Sequence, residues 1–551
     1  MPAVVRSVTG SGAAVRSAAR STTTSGTAAR TAALALLAAL APPALGAAAY
    51  GQARELTLEE AVARALEKNE DVLIERIALD SAEAAITGAE GAYDPLLGLE
   101  AGWRRTTAPV NSAFSGAPEG ELAPVVEGAE ASAAVRQLLP TGGEIALRAD
   151  AARTESDASF DLLSPAYDSR LGVELRQPLL RDRAIDAARL GLRVAAADRD
   201  RALALLRREV IETVAAVERA YWSLVAARRE IAVREEAVEL AREQLSETEI
   251  RIENGASPET EIAQPRAELE RRRGDLLEAQ ETVARAETTL KRLILSDEDA
   301  ALWPAPLAPV AEAEVAIEPV DAAAAMERAL ALRAELEAAG AFVERRRTET
   351  AFARDGIKPA LDLVVSYDRF GLAGSRNPAS APIPGLPGVV PPGLEGNLGD
   401  ALGGLADGDF DDARIGLVFE LPIGNRAARA AAEIAANTER QAEAELVRAR
   451  KAVRAEVLDA VATVETAGGR IEAARAAREA AEVQLMAERE RFAVGLSTNF
   501  LVLTRQNDLA GARLDEIAAL TDYRTARTEL GRATGALLGE RGIELQTTET
   551  E

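Results

Sequence analysis

The sequence predicts a mostly helical α+β protein built as a tandem internal repeat, in which long antiparallel coiled-coil hairpins alternate with groups of β-strands. Three observations carry this. Apolar residues recur at strict seven-residue intervals over two long arms, Leu203, Val210, Val217, Leu224, Ile231, Val238, Leu245 and Ile252 in one and Ile262, Leu269, Leu276, Val283 and Leu290 in the other, the spacing of a coiled-coil seam. Elsewhere the period drops to two, as in Leu97, Leu99, Ala101 and Trp103, the mark of a strand with one apolar face. And the whole order of helix, strands, long helix, reversal, long helix occurs twice, which outranks any single motif.

The first 30 residues are basic and rich in Ser, Thr and Ala without a single acid, and Ala32 to Leu40 is apolar up to Pro42-Pro43. Residues 1–53 therefore read as a secretory signal peptide, with a small-x-small site at Gly51-Gln52-Ala53 and Ala49 as an alternative. The apolar run is too short for the roughly 20 residues of a membrane-spanning helix. Without cysteine the exported chain cannot carry a lipoprotein's lipid.

Leu56-Thr57-Leu58-Glu59-Glu60 opens the first helix, with Thr57 as N-cap and Glu60 placed for a capping box. Leu58, Val62, Leu66, Val72, Leu73 and Ile77 form its expected apolar face. After Tyr93-Asp94-Pro95 the alternating strand at 97–103 begins, followed by a polar loop to about Gly128. Two further alternating runs, Ala131 to Leu139 and Glu144 to Ala152, flank Pro140-Thr141-Gly142-Gly143, and a strand over Arg170 to Gln177 stops at Pro178. The long hairpin occupies 183–295. Its first arm of about 70 residues rises roughly 105 Å at 1.5 Å per residue, farther than a globular domain requires. Its reversal, Asn254-Gly255-Ala256-Ser257-Pro258, combines a left-handed Gly, a Ser N-cap and a Pro at the first helical position.

Trp303-Pro304-Ala305-Pro306 and Pro309 then break the chain, and the pattern restarts. Pro359-Ala360-Leu361-Asp362-Leu363 matches Pro95-Leu96-Leu97-Gly98-Leu99, and Arg414 to Pro422 matches Arg170 to Pro178. Between them lie a strand from about Leu361 to Phe370 and a Gly/Pro-rich loop over roughly 371–411. A second hairpin over 426–538 uses Val457, Val464, Ile471, Leu485 and Phe492 as its seam, and returns through Leu501, Leu514 and Leu530. Gly495-Leu496-Ser497-Thr498 aligns with Gly255-Ala256-Ser257-Pro258. The expected domains are thus a signal peptide at 1–53, a first repeat at 54–308 with strands at 96–178, a second at 309–540 with strands at 360–422, and a disordered tail at 541–551.

Composition narrows the function. The net charge of −25 argues against nucleic-acid binding by a basic surface. The absence of Cys and His removes thiolate and imidazole chemistry, and neither a phosphate-binding glycine loop nor a nucleophile elbow is present. The chain reads as no enzyme, with no cofactor and no metal site. Asp407 to Asp412 has the acid spacing of a calcium loop, but Asp412 stands where the Gly belongs and Val418 where the terminal Glu belongs, so it reads as a solvated acidic loop. Each repeat holds too few strands to close a barrel, and a sheet in lipid cannot leave its edges unpaired. Closure then takes several copies, and the bacterial outer membrane is the place for such a barrel.

The opening Leu-Thr-Leu-Glu-Glu-Ala (56–61), the strand ends Gln177-Pro178-Leu179-Leu180 and Leu421-Pro422-Ile423-Gly424, and the tips Gly255-Ala256-Ser257 and Gly495-Leu496-Ser497 together resemble the TolC-like outer membrane efflux proteins over roughly 55–538. The resemblance implies a homotrimer in outer membrane lipid, with a β-barrel there and an α-helical barrel across the periplasm. It implies passive export of small molecules or proteins as the exit duct of a tripartite efflux or type I secretion system. The partners it implies are a periplasmic adaptor and an inner-membrane transporter. The reversals become periplasmic tips, where Gly255, Ser257, Gly495 and Ser497 are candidate adaptor contacts. The aspartates that line the family's entrance fall here on Leu501 and Thr504; Glu259 and Glu261 of the first tip either replace them or are ordinary helix-start glutamates favoured by the dipole. The family's simplest form has two strands per half, so the hairpin around residues 140–143 either widens the barrel beyond twelve strands, merges into long bent strands or lies in a loop. A secreted coiled-coil structural or adhesin-like protein is the competing reading, against which the strands at matching places in both halves count.

Overall fold

The computed structural model describes residues 5–7, 54–109, 116–118, 121–255, 258–310, 316–380 and 390–545. Most of the leader therefore lies outside the described residues; of it, Val5–Ser7 pairs antiparallel with Ile543–Leu545. Of the tail expected to be disordered, residues 543–545 form that strand and 546–551 lie outside. No helix among the described residues is long and apolar enough to cross a membrane. Chain contacts divide the molecule into two compact units, one formed by 54–78, 204–336 and 448–545 with the Val5–Ser7 strand, the other by 79–203 and 337–447.

Helix α1 (Leu58–Lys68) starts as its capping residue dictates, with Thr57 Oγ1 accepting from the Glu60 amide at 3.1 Å. It does not run on to Ile77. Asn69 leaves the helix, and its side-chain oxygen accepts from the amides of Asp71 and Val72 to start α2 (Glu70–Glu90). The break resets the helical phase: Val62, Leu66 and Val72 are buried, whereas Leu73 and Ile77 are half exposed.

The first unit is helical. α3 (Ala187–Glu253) supplies its later residues, α4 (Ala263–Ile294) returns, α5 (Ala322–Leu332) follows the linker, and α8 (Arg426–Ala493) with α9 (Asn499–Thr534) form the second hairpin. Toward the reversals the seams are narrow: Val238, Ala241 and Leu269 pack with Leu245 and Leu276 in the first hairpin, and Ala481, Leu485 and Leu509 with Ala512 in the second. Ion pairs flank them, Arg234 to Asp275 at 3.3 Å and Arg478 to Glu516 at 2.6 Å. Around the middle of α3 burial widens to Val210, Val214, Val217, Tyr221 and Leu224. There the Tyr221 hydroxyl donates toward the carbonyls of Leu56 (3.0 Å) and Val310 (2.7 Å), next to a short parallel pairing of Arg54–Leu56 with Leu307–Pro309.

The second unit holds one six-stranded antiparallel sheet: β1 (Leu96–Thr107), β2 (Val125–Leu138), β3 (Glu144–Ser156), β4 (Leu163–Pro178), β5 (Ala360–Arg376) and β6 (Asp411–Glu420). Each pairs with its neighbour in chain order, an up-and-down meander. The hairpin around residues 140–143 is therefore two further strands within the sheet, neither merged into bent strands nor a loop. The first half contributes four strands and the second two. The loop expected over 371–411 is also partly regular, because β5 continues to Arg376 and a helix α7 (Leu398–Asp407) follows. Asn397 caps α7 through the Gly399 amide, Asp400 answers to the Asn397 amide, and Gly408 ends it at φ +75°.

Both returning strands pass into their helices through left-handed residues that the sequence reading missed, Asp182 (φ 64°) and Asn425 (φ 40°). Asp and Asn tolerate this region best among non-glycine residues. Each is tied to the end of helix α6 (Ala334–Asp355) or just beyond, the Asp182 amide to Asp355 and the Asn425 side chain to the Ile357 carbonyl.

Candidate functional site

Two surfaces are set apart by their chemistry, one in each unit. The first is the sheet. Register places Leu97, Leu99, Ala101 and Trp103 of β1 beside Val135, Ala133, Ala131 and Ala129 of β2, and the row continues through Leu147 and Ala149 of β3, Val173 and Leu171 of β4, Val365 and Leu363 of β5, and Ile415 and Leu417 of β6. Because side chains alternate, the opposite face collects Glu100, Glu130, Arg136, Arg148, Asp150, Asp168 and Arg170, which line a concavity of about 1050 Å³. Diagonal ion pairs brace it, Arg170 to Asp368 at 2.9 Å and Arg176 to Asp362 at 2.6 Å. Gly172 makes the first possible, since a Cβ there would meet the Asp368 carboxylate. One face of this sheet suits hydrocarbon and the other suits water.

Helix α7 rests on the apolar face. Ser169 Oγ donates to the Ala401 carbonyl at 2.8 Å and Arg369 to the Leu405 carbonyl at 3.0 Å. Gly371 lets the helix approach this closely, because a Cβ there would lie 1.8 Å from the Ala401 carbonyl oxygen. Leu402 and Leu405 face the alanines of β2 and β3, whose small side chains leave room for them.

The second surface is the pair of reversals in the first unit. Gly255 (φ +70°) and Gly495 (φ +80°) end α3 and α8, their amides bonded to the carbonyls of Ile252 and Phe492. Ser257 lies outside the described residues. Pro258 does not open the returning α-helix; it precedes a single 3-10 turn, Glu259–Ile262, and α4 starts at Ala263. Glu259 and Glu261 are exposed, and among the described residues neither is ion-paired. In the other tip the Ser497 hydroxyl donates to Glu488, a buried carboxylate that also faces Arg491 at 3.5 Å. Thr504 turns back to the Phe500 carbonyl at 2.8 Å, while Leu501 is exposed. The reversals lie side by side, with the Arg251 guanidinium 4.2 Å from the centre of the Phe492 ring and Asn499 Nδ2 3.4 Å from Thr248 Oγ1.

The sequence reading missed two features here. Val483, Met486, Val494, Leu496 and Phe500 are all more than half exposed, an uncovered apolar patch at the second tip; the run Val494-Gly495-Leu496 in an otherwise charged stretch was its signal. Near the first tip, Glu268 is partly buried. Burial alone would raise its pKa, but hydrogen bonds from Arg271 and Arg272 outweigh that and hold the carboxyl below its ordinary range. No group of three or more potential metal-ligating side chains occurs among the described residues.

An amphipathic antiparallel meander joined to twice-repeated coiled-coil hairpins defines a channel protein of the outer membrane type. The chain belongs to the outer membrane efflux protein family, whose profile matches residues 125–294 and again 325–536, one segment in each half of the internal repeat. No curated protein matches it. Among solved structures it is similar to the Campylobacter jejuni CmeC outer membrane channel, with a TM-score of 0.59, 16% identity, and 88% of this chain and 89% of that one covered. The outer membrane protein VceC of Vibrio cholerae gives 0.58 at 16% identity, covering 87% and 96%. The open-state MtrE outer membrane channel of Neisseria gonorrhoeae gives 0.56 at 15%, covering 87% and 89%. At these identities the likeness is one of fold. CmeC and MtrE are outer membrane channels, and VceC is an outer membrane protein.

Proposed function

We propose that this protein is the outer membrane exit duct of a tripartite efflux or type I secretion system, through which small molecules or proteins leave passively while an inner-membrane transporter drives them. Three copies close the barrel in outer membrane lipid, after export directed by the N-terminal leader. The observation that carries the reading is the sheet: a meander with one apolar face, one charged face and, among the described residues, both edges unpaired. Such a sheet is stable only where hydrocarbon covers one face, water wets the other and further copies satisfy the edges.

The reversals are then the periplasmic tips. The uncovered apolar side chains of Leu496 and Phe500 and the two left-handed glycines, Gly255 and Gly495, support a docking role toward a periplasmic adaptor, with Ser257 and Ser497 two residues further along the sequence as further candidate contacts. At the entrance Leu501 and Thr504 carry no charge, so Glu259 and Glu261, exposed and without an ion pair among the described residues, are acidic groups available to a ring around the threefold axis; three copies of each attract cations and repel anions.

Fractionation of expressing cells followed by electrophoresis with and without heating tests the reading. A heat-sensitive oligomer in the outer membrane fraction is expected. A water-soluble product whose mobility ignores heating would instead fit the secreted structural or adhesin-like protein and refute the duct.

A further inference from the structure

The two open edges of the meander are β1 and β6. Every residue of β1 is exposed, and every residue of β6 except Gly416. Their apolar rows are uncovered as well: Leu97, Leu99 and Trp103 on β1, and Ile415, Leu417 and Phe419 on β6, are each 61–77% exposed. Strand direction alternates along a meander, so β1 and β6 run antiparallel to each other. The internal repeat supplies a template for joining them. The β4–β5 seam links the returning strand of the first half to the outgoing strand of the second. Its counterpart, the returning strand of the second half with the outgoing strand of the first, is β6 with β1, and one chain leaves it unmade.

We propose that β6 of one copy pairs with β1 of the next, so that all six strands of every chain enter one wall. Resting on the trimer proposed above, this gives a barrel of eighteen strands, the β2–β3 hairpin being part of the wall and not an appendage to it. The side chains select a register. With Leu99 opposite Leu417, the apolar row continues across the junction through Leu97–Phe419 and Ala101–Ile415. The same register sets Arg104 opposite Asp412 and Arg105 opposite Asp411. Sliding by two residues one way sets Arg104 against Arg414, and the other way sets Trp103 against Asp411. Sliding by one turns each apolar row to the wrong face.

The consequence is width. With strands about 4.8 Å apart and tilted about 40°, twelve strands enclose a backbone diameter of about 24 Å and eighteen about 36 Å. The cross-section roughly doubles, and Glu130, Arg136, Arg148 and Asp150 of β2 and β3 become lumen lining. This is the strand number at which single-chain porins hold an open aqueous channel.

Because the chain has no cysteine, paired cysteines report the arrangement directly. Facing residues in adjacent strands hold their Cβ atoms about 4.5–5.5 Å apart, close enough for a disulfide after slight adjustment. Full-length Leu99→Cys/Leu417→Cys and Ala101→Cys/Ile415→Cys proteins, oxidised in isolated outer membranes, are expected to run as a ladder up to a covalent trimer that collapses on reduction. The repeat also defines the rival wall. If β2 and β3 stood outside it, β1 would pair with β4 as β5 pairs with β6, and Leu99 would face Val173. A Leu99→Cys/Val173→Cys protein that closes a disulfide within one chain overturns the eighteen-stranded wall while leaving the trimeric duct intact. So does a ladder that stops at the dimer under conditions where native electrophoresis shows a trimer. A protein absent from the outer membrane overturns the duct itself and this inference with it.

Discussion

Glu218 is the most deeply buried carboxylate of the first unit, 1% exposed on α3. It accepts hydrogen bonds from Thr528 Oγ1 on α9 at 2.5 Å and from Arg541 Nε, beyond the end of α9, at 2.6 Å. A charge at that depth is tolerated only when paired, and removing one partner of a buried pair costs about 3–5 kcal/mol because the other is left uncompensated. Arg541→Leu does so here. For a cooperative unit this large, about 2 °C accompanies each kcal/mol, so the apparent midpoint falls by about 6–10 °C.

The reverse change is milder. Glu218→Leu removes the buried charge, leaves Arg541 with 38% of its side chain exposed to hydrating water, and leaves the Thr528 hydroxyl its bond to the Arg524 carbonyl at 3.2 Å. A buried pair replaced by apolar side chains of similar volume is often near neutral, so the Glu218→Leu/Arg541→Leu protein melts closer to the parent than Arg541→Leu does. The assay is the helical circular dichroism signal of the purified oligomer heated at one fixed scan rate, because assemblies of this kind unfold irreversibly. If Arg541→Leu costs as much in the Glu218→Leu background as in the parent, the stranded carboxylate is not the cause and the reasoning fails.

Tyr221→Phe deletes the hydroxyl that donates toward Leu56 and Val310; the Leu56 carbonyl keeps the Val310 amide at 3.0 Å, so the loss is that of an ordinary hydrogen bond, about 0.5–1.5 kcal/mol, and a melting point unchanged from the parent would contradict this. Gly371→Val drives a side chain into the Ala401 carbonyl, so α7 lifts from the sheet and limited proteolysis cuts within 390–410, where the parent resists. Glu209 has a raised pKa, chiefly from burial and further from Asp71, Glu75 and Glu212. A carboxyl raised in the folded state contributes stability that is present below its ordinary range and lost as pH rises through the raised value. Glu209→Gln is therefore expected to raise the melting point at neutral pH, with the gain disappearing under acid conditions; a constant difference across pH would point to another cause. Glu268 behaves oppositely. Its lowered pKa contributes stability above the ordinary carboxylate range that is lost on acidification, so Glu268→Gln should destabilise at neutral pH and converge with the parent in acid.

The parts of this fold legible in the sequence are those in which one periodicity acts alone. Toward the reversals, the seven-residue spacing names the buried positions within each hairpin, as Val238, Leu269 and Leu485 illustrate. Where neighbours surround α3, burial spreads to Ile211, Val214 and Trp222, positions no seam contains. Their apolar character was visible, but not which helices would cover them. Strand alternation was readable even through the alanines of β2 and β3, whose low β propensity is overridden by cross-strand pairing. Pairing order was not, since period two states a strand's faces and never its neighbours. α7 was hidden by its glycines, although Asn397, Asp400 and Gly408 bracket it with ordinary capping chemistry.

The tips were the least legible, and the reason is physical. A turn's glycines declare its backbone geometry, but its contacts depend on side chains brought from elsewhere. Glu488 is nine residues before Ser497 in sequence and lies beneath it in space; Arg251 and Phe492 meet from different repeats. The two reversals thus form one joint surface, with a charged side at Glu259 and Glu261 and an apolar side at Leu496 and Phe500. That division allots the two tasks of an entrance to different residues. Acids that remain exposed can act on passing ions, whereas apolar side chains left uncovered gain only by being buried against a partner. Substituting Leu496 and Phe500 together by serine is therefore expected to weaken adaptor capture without altering ion selectivity in planar bilayers, and Glu259→Gln/Glu261→Gln to do the reverse. If both pairs move both readouts, the surface acts as a unit and the division is wrong.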